Sequence, residues 1–143
     1  MDSDAAREID IESAHSARIY DYILGGKDYY PADQQAGDAM VRAWPALPVH
    51  MRANRDFMNR AVRHLAEEAG TRQFLDIGTG IPTSPGMPMR LRTLAEAGQF
   101  FEGLELVEPG IVQVHRWRPE GTDSTEIRDE DIAMYGAVAR TPG

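Results

Sequence analysis

A short apolar run that ends in an acid and breaks into two glycines limits what this chain can fold into more than any other stretch: Gln73-Phe74-Leu75-Asp76-Ile77-Gly78-Thr79-Gly80-Ile81-Pro82. Its order is that of a buried parallel strand handing its backbone to a ligand. Gly78 and Gly80 reach backbone angles closed to other residues, and without a Cβ they let the main chain come close to a bound molecule. Asp76 falls at the carboxyl end of the predicted strand, where open α/β sheets bind their ligands. Thr83 stands where the dinucleotide fingerprint has its third glycine, so a tight turn after a core strand remains open as a reading.

The residues after the glycines narrow the choice. A nucleoside-binding loop runs straight into a helix whose N-terminal amides face the ligand. Here Pro82, Pro85 and Pro88, with Gly86 among them, forbid regular helix until about Met89. Only 63 residues lie beyond Gly80. A strand-helix-strand unit uses about 30 or more, so at most two crossovers fit where a doubly wound sheet needs several.

The 143 residues suffice for one domain with a real core. Hydrophobic residues at 42% and charged ones at 27% read as globular. The net charge of −8 argues against a protein that tracks phosphates or an anionic membrane, because both need a basic face. No cysteine is present, which removes disulfides, thiolate nucleophiles and thiolate-held zinc. Residues 1–13 read as a mobile, charged lead-in without an apolar signal core, no run approaches a membrane span, and a cytoplasmic protein is expected.

From Ser16 the pattern turns helical, with Ala17, Tyr20, Ile23 and Leu24 on one stripe, Ser16 as N-cap and Gly25-Gly26 as the stop. Pro31 suits the first turn of a second helix with a stripe of Ala32, Ala36, Ala39, Met40 and Ala43. Trp44-Pro45-Ala46-Leu47-Pro48 reads as a stiff connection. A third helix, opened by Asn54 and Arg55, carries Phe57, Met58, Ala61, Val62, Leu65, Ala66 and Ala69, and Gly70 caps it. Beyond the prolines, Leu91 to Phe101 reads as a helix, Leu104 to Glu108 as a strand, Val112 to Trp117 as another short strand or extended segment, and Ile132 to Ala139 as a final strand.

Lys27 after two glycines invites a phosphate-binding loop, which fails because position 21 is Asp, position 28 is Asp and a helix precedes it. His15, His50, His64 and His115 lack metal-ligand spacing, and no metal site is expected. Trp117 and Phe100-Phe101 read as core rather than a base-stacking platform. Glu108 lies 32 residues beyond Asp76, too far for a ribose-binding acid, expected about 20 residues on.

Three segments together carry a resemblance. They are Ser16-Ala17-Arg18-Ile19-Tyr20-Asp21-Tyr22-Ile23-Leu24-Gly25-Gly26-Lys27-Asp28, then Asn54-Arg55, then Phe74 to Thr83. With Phe100 to Gly110, Arg116-Trp117-Arg118-Pro119 and Tyr135 to Arg140, they resemble the actinobacterial S-adenosylmethionine-dependent methyltransferases once labelled a domain of unknown function. Against that family the chain looks internally deleted between Thr83 and about Met89. The missing part would hold the strands that carry the ribose-binding acid and frame the adenine.

The resemblance implies an α/β fold: a truncated Rossmann-like methyltransferase sheet of about three to four strands preceded by a three-helix N-terminal lid. Residues 14–143 would form a single incomplete domain, 14–83 giving the lid, first strand and glycine loop, and 89–143 the last helix and strands. It implies S-adenosyl-L-methionine as methyl-donor cosubstrate, held by Asp76, Gly78, Thr79, Gly80, Tyr22, Gly25, Gly26, Lys27, Asp28, Asn54 and Arg55. No catalytic residue and no methyl acceptor can be named. Alternatively the chain is a non-catalytic remnant acting as a binding or interaction module, or a non-functional fragment, self-associating through exposed sheet edges. A nicotinamide dehydrogenase is disfavoured by Thr83.

Overall fold

The computed structural model describes residues 10–75, 92–120 and 126–143. The described residues divide into two compact units, residues 10–43 and residues 44–75 with 92–120 and 126–143.

In the first unit α1 (Ser16–Ile23) packs on α2 (Pro31–Ala43) as a helical hairpin. His15, one residue before the expected cap, starts α1 by accepting the Ala17 amide on its ring nitrogen at 3.3 Å. Gly25 stops the helix at φ 85°, a conformation that favours glycine. The inner face of α1 is Ile19 and Ile23, 0% and 8% exposed, whereas Ala17 of the expected stripe faces solvent. On α2 the expected alanine stripe gives way to Asp33 and Gly37, both buried and one turn apart. Gly37 is buried because the Tyr22 ring lies on it: a Cβ there would stand 2.6 Å from Tyr22 Cδ1.

The second unit is built on α3 (Leu47–Arg63), which begins about two turns earlier than expected. Pro48 sits in its first turn, where a missing N–H costs nothing and the fixed φ suits the helix. Asn54 and Arg55 therefore lie in mid-helix rather than opening it. A π-helical turn, His64–Glu68, continues α3, and Gly70 closes it at φ 69°. The deeply buried residues of α3 are Leu47, Met51 and Ala53, while Met58 and Val62 of the expected stripe are 40% and 44% exposed.

A short α4 (Leu94–Gly98), capped by reciprocal Thr93 and Glu96 bonds, runs into a 3₁₀ turn at Gln99–Phe101. Four two-residue strands come next: β1 (Glu105–Leu106), β2 (Val112–Gln113), β3 (Tyr135–Gly136) and β4 (Ala139–Arg140). They form two antiparallel pairs, β1 with β4 (Glu105 opposite Arg140) and β2 with β3 (Val112 opposite Gly136). The expected final strand from Ile132 to Ala139 is thus split. Its first part pairs with β2, then the Val138 carbonyl accepts the Val107 amide at 2.8 Å and the chain joins β1.

The core of this unit is Ala53 of α3 with Val114 and Ile132, flanked by Val49, Phe57, Ile127 and Met134. Trp117 is 0% exposed and meets the Phe57 ring edge to face at 5.6 Å. Arg60 ties α3 to the 3₁₀ turn Val114–Arg116 and the residue after it, donating to the Val114 and Trp117 carbonyls at 2.8 Å each.

Of the predicted strand ahead of the glycines, Gln73, Phe74 and Leu75 are described; they belong to no strand, and Phe74 and Leu75 are 52% and 85% exposed. Among the described residues the chain is thus a mixed α/β protein of four α-helices with small antiparallel sheets.

Candidate functional site

The expected cosubstrate residues fall in three places. Asp76, Gly78, Thr79 and Gly80 lie outside the described residues. Asn54 and Arg55 stand midway along α3 in the second unit. Tyr22, Gly25, Gly26, Lys27 and Asp28 come together at the end of α1 and in the loop after it, in the first unit.

That loop is organised by Asp21. Its Oδ2 accepts the Asp28 amide at 2.8 Å, and the Gly26 amide donates to the Asp21 carbonyl at 2.8 Å. A Cβ on Gly26 would overlap the Asp21 carboxylate, so Gly26 is required by a close approach within the chain itself. Gly25 differs: a Cβ there would meet nothing within 4 Å, leaving one open side of the loop. Lys27 and Asp28 are exposed, and among the described residues Lys27 makes no ion pair.

Tyr22 is fixed from three sides. Its hydroxyl donates to Asp38 Oδ1 at 2.6 Å, its ring meets Tyr29 edge to face at 4.8 Å, and its other face covers Gly37. The bond to Asp38, with burial second, pushes the Tyr22 phenol above its ordinary pKa, since losing the proton would set two negative oxygens together. Beside it, Tyr22, Ile23, Asp38, Val41 and Arg42 line a hollow of about 360 Å³.

Sequence reasoning missed Asp33, the polar centre of the hairpin. It is fully buried and accepts from the His15 amide (2.7 Å), Arg18 Nε (2.7 Å) and the Tyr30 amide (2.9 Å). Burial acts to raise its pKa, but these bonds outweigh it and hold the carboxyl below its usual value. The only sequence signal was an Arg fifteen residues earlier, which no local pattern singles out.

In the second unit, Arg118 adopts φ 43° and places its guanidinium 2.7 Å from His64 Nδ1 and 2.9 Å from Glu68 Oε2. These are ties of the π-helical turn to the 114–118 segment. Among the described residues, no group of three or more His, Asp or Glu could hold a metal ion, and no helix is long and apolar enough to cross a membrane.

Comparison with known proteins gives the ancestry. The model of a family described as S-adenosyl methyltransferase matches residues 2–87 and, separately, 84–142. The two pieces meet at residues 84–87, inside the interval where the sequence places the join. A DUF574 family protein from Streptomyces avermitilis is 42% identical, with a TM-score of 0.85 over 94% of this chain and 100% of that one. A candidate methyltransferase from Thermobifida fusca shares the fold at 19% identity, with a TM-score of 0.70 over 94% of this chain and 97% of that one. No curated protein matches the sequence. With a single family model accounting for nearly every residue from 2 to 142, the chain belongs to the S-adenosyl methyltransferase family.

Proposed function

We propose that this chain binds S-adenosyl-L-methionine as a shortened member of its family, through the residues Asp76 to Gly80 and the loop from Tyr22 to Asp28. In this reading the fold is a truncated Rossmann-like sheet with a helical lid. The observation that carries it is the two-piece family match, whose first piece, residues 2–87, contains both glycine segments. The open side of Gly25 and the Lys27 ammonium, without an ion pair among the described residues, support it from the described half of the site. When bound, the cosubstrate supplies an electrophilic sulfonium methyl group. The protein's part is to orient it in line with an acceptor and to keep water away.

Thermal unfolding with added S-adenosylhomocysteine tests the proposal, because a ligand bound only by the folded state raises the midpoint as its concentration rises. A midpoint unmoved at millimolar ligand defeats it. Gly78→Val should abolish the shift, since a side chain there fills the space the cosubstrate needs.

A second reading is favoured by one observation: Phe74 and Leu75 are 52% and 85% exposed, and Phe100, Leu104 and Leu106 of the second unit are 67%, 39% and 43% exposed. Apolar groups left in water favour association, so in this reading the chain is a non-catalytic interaction module. A molar mass above that of one chain by light scattering, falling to one chain in Leu75→Lys, supports it. A monomer at all concentrations removes self-association.

A further inference from the structure

The hollow between Tyr22 and Arg42 carries a charge arrangement that the hairpin itself does not use. Asp38 and Arg42 are one turn apart on α2, with the acid on the amino-terminal side, the order in which such pairs favour bonding to each other. They form no ion pair, because Asp38 turns to the Tyr22 hydroxyl through Oδ1. Its Oδ2 accepts nothing from the described residues, and the Arg42 guanidinium has no partner among them. Ile23, Val41 and Tyr22 line the same hollow as these two charged groups. About 360 Å³ falls within the range of small-molecule sites.

We propose that this hollow recognises a zwitterionic amino-acid group, with its ammonium on Asp38, its carboxylate on Arg42 and its apolar side chain against Ile23, Val41 and Tyr22. Such a ligand fits where a simple anion does not, because Asp38 would repel an anion that Arg42 attracts. Bidentate bonding of a carboxylate is what a guanidinium fork does best. Tyr22 is a positioning residue here: it occupies one Asp38 oxygen and aims the other. Two sources carry this chemistry, the amino-acid end of S-adenosylmethionine and a free apolar amino acid; the first of these rests on the proposed function.

The probe is L-methionine, titrated into the full chain and followed by amide NMR, against N-acetyl-L-methionine and L-methionine methyl ester, which lack the ammonium and the carboxylate respectively. L-Methionine is expected to shift amides of residues 22–23 and 38–42 and to bind about tenfold or more tighter than either blocked form. Arg42→Gln should remove the preference over the ester, and Asp38→Asn, which keeps an acceptor for Tyr22, the preference over the acetylated form. Arg42 is exposed, so its variant leaves the hairpin packing intact. Loss of the preference for S-adenosylhomocysteine over methylthioadenosine in Arg42→Gln assigns the site to the cosubstrate. L-Methionine binding there under saturating S-adenosylhomocysteine assigns it to a free amino acid. Equal binding of all three methionine compounds, or no shifts at tens of millimolar, overturns the proposal. If L-methionine titrates the hollow while adenosyl compounds leave the unfolding midpoint unmoved, the proposed function fails and this inference stands. If S-adenosylhomocysteine raises the midpoint and L-methionine does nothing, the reverse holds.

Discussion

Arg18 and Asp33 meet at 2.7 Å across the α1–α2 hairpin, with Asp33 entirely out of water and Arg18 at 18% side-chain exposure. The guanidinium also reaches the Ser13 and Asp10 carbonyls at 2.7 and 3.0 Å and lies 5.2 Å from the Tyr30 ring centre. One ion pair therefore joins the chain entering α1, the helix itself and the loop leading into α2. Two buried charges are expensive to desolvate, and they persist here because almost every hydrogen-bonding direction is filled.

Asp33→Ala should destabilise the hairpin by about 3 kcal/mol, because it strands Arg18 and two amides together. Chemical denaturation followed by helix circular dichroism measures the loss. The carboxyl is held below its usual pKa, so its stabilisation is fully present above the unfolded value near 4 and is lost as pH falls through the lower folded value. Wild type should lose hairpin structure in that acid window. Asp33→Asn should abolish this acid step.

Gly37→Ala separates helix propensity from packing. Alanine in mid-helix gains about 1 kcal/mol over glycine. Its Cβ would stand 2.6 Å from Tyr22 Cδ1, and Tyr22 cannot yield without breaking its bond to Asp38. We expect net destabilisation of about 1 to 2 kcal/mol. In Tyr22→Leu the same Gly37→Ala change should turn neutral or favourable, which a double-mutant cycle reads directly.

Arg60→Met removes both donors to the Val114 and Trp117 carbonyls while keeping the length of the side chain. Burial lowers the Arg60 pKa somewhat, but it remains charged at neutral pH. A loss of about 2 kcal/mol is expected from bonds to a charged group. Trp117 is fully buried, so its fluorescence should shift to the red in the variant at lower denaturant than in wild type.

Gly136→Ala places a methyl 2.7 Å from Phe57 Cζ, inside the core that Phe57 shares with Val114 and Ile132. Overpacking of this kind costs about 1 to 3 kcal/mol. Phe57→Leu, which shortens the opposing group, should restore part of it.

The legible features of the sequence were local. Pro31 marked the start of α2 and Gly25 the end of α1, because each acts through its own backbone angle. The family was legible too, since the run from Tyr20 to Asp28 is specific, and a family match over residues 2–87 and 84–142 agrees with it. Three features were hidden. Pro48 reads as a breaker from composition, yet in a first turn it initiates, and this displaced Asn54 and Arg55 from the helix start. Burial of Asp33 depends on partners before α1 and in the loop ahead of α2, which periodicity cannot sum. The alternation from Ile132 to Ala139 promised a single strand, because alternation encodes which face is buried and not which neighbour is paired.

That last segment has a consequence for handling the protein. Residues 135–140 are a seam stitched first to β2 and then, through Val138 and β4, to β1. Deleting Ala139 and Arg140 would therefore remove the ladder to β1, and a deletion reaching back to Tyr135 would remove both. Residues 135–140 act as a fastening, and truncations should leave them whole.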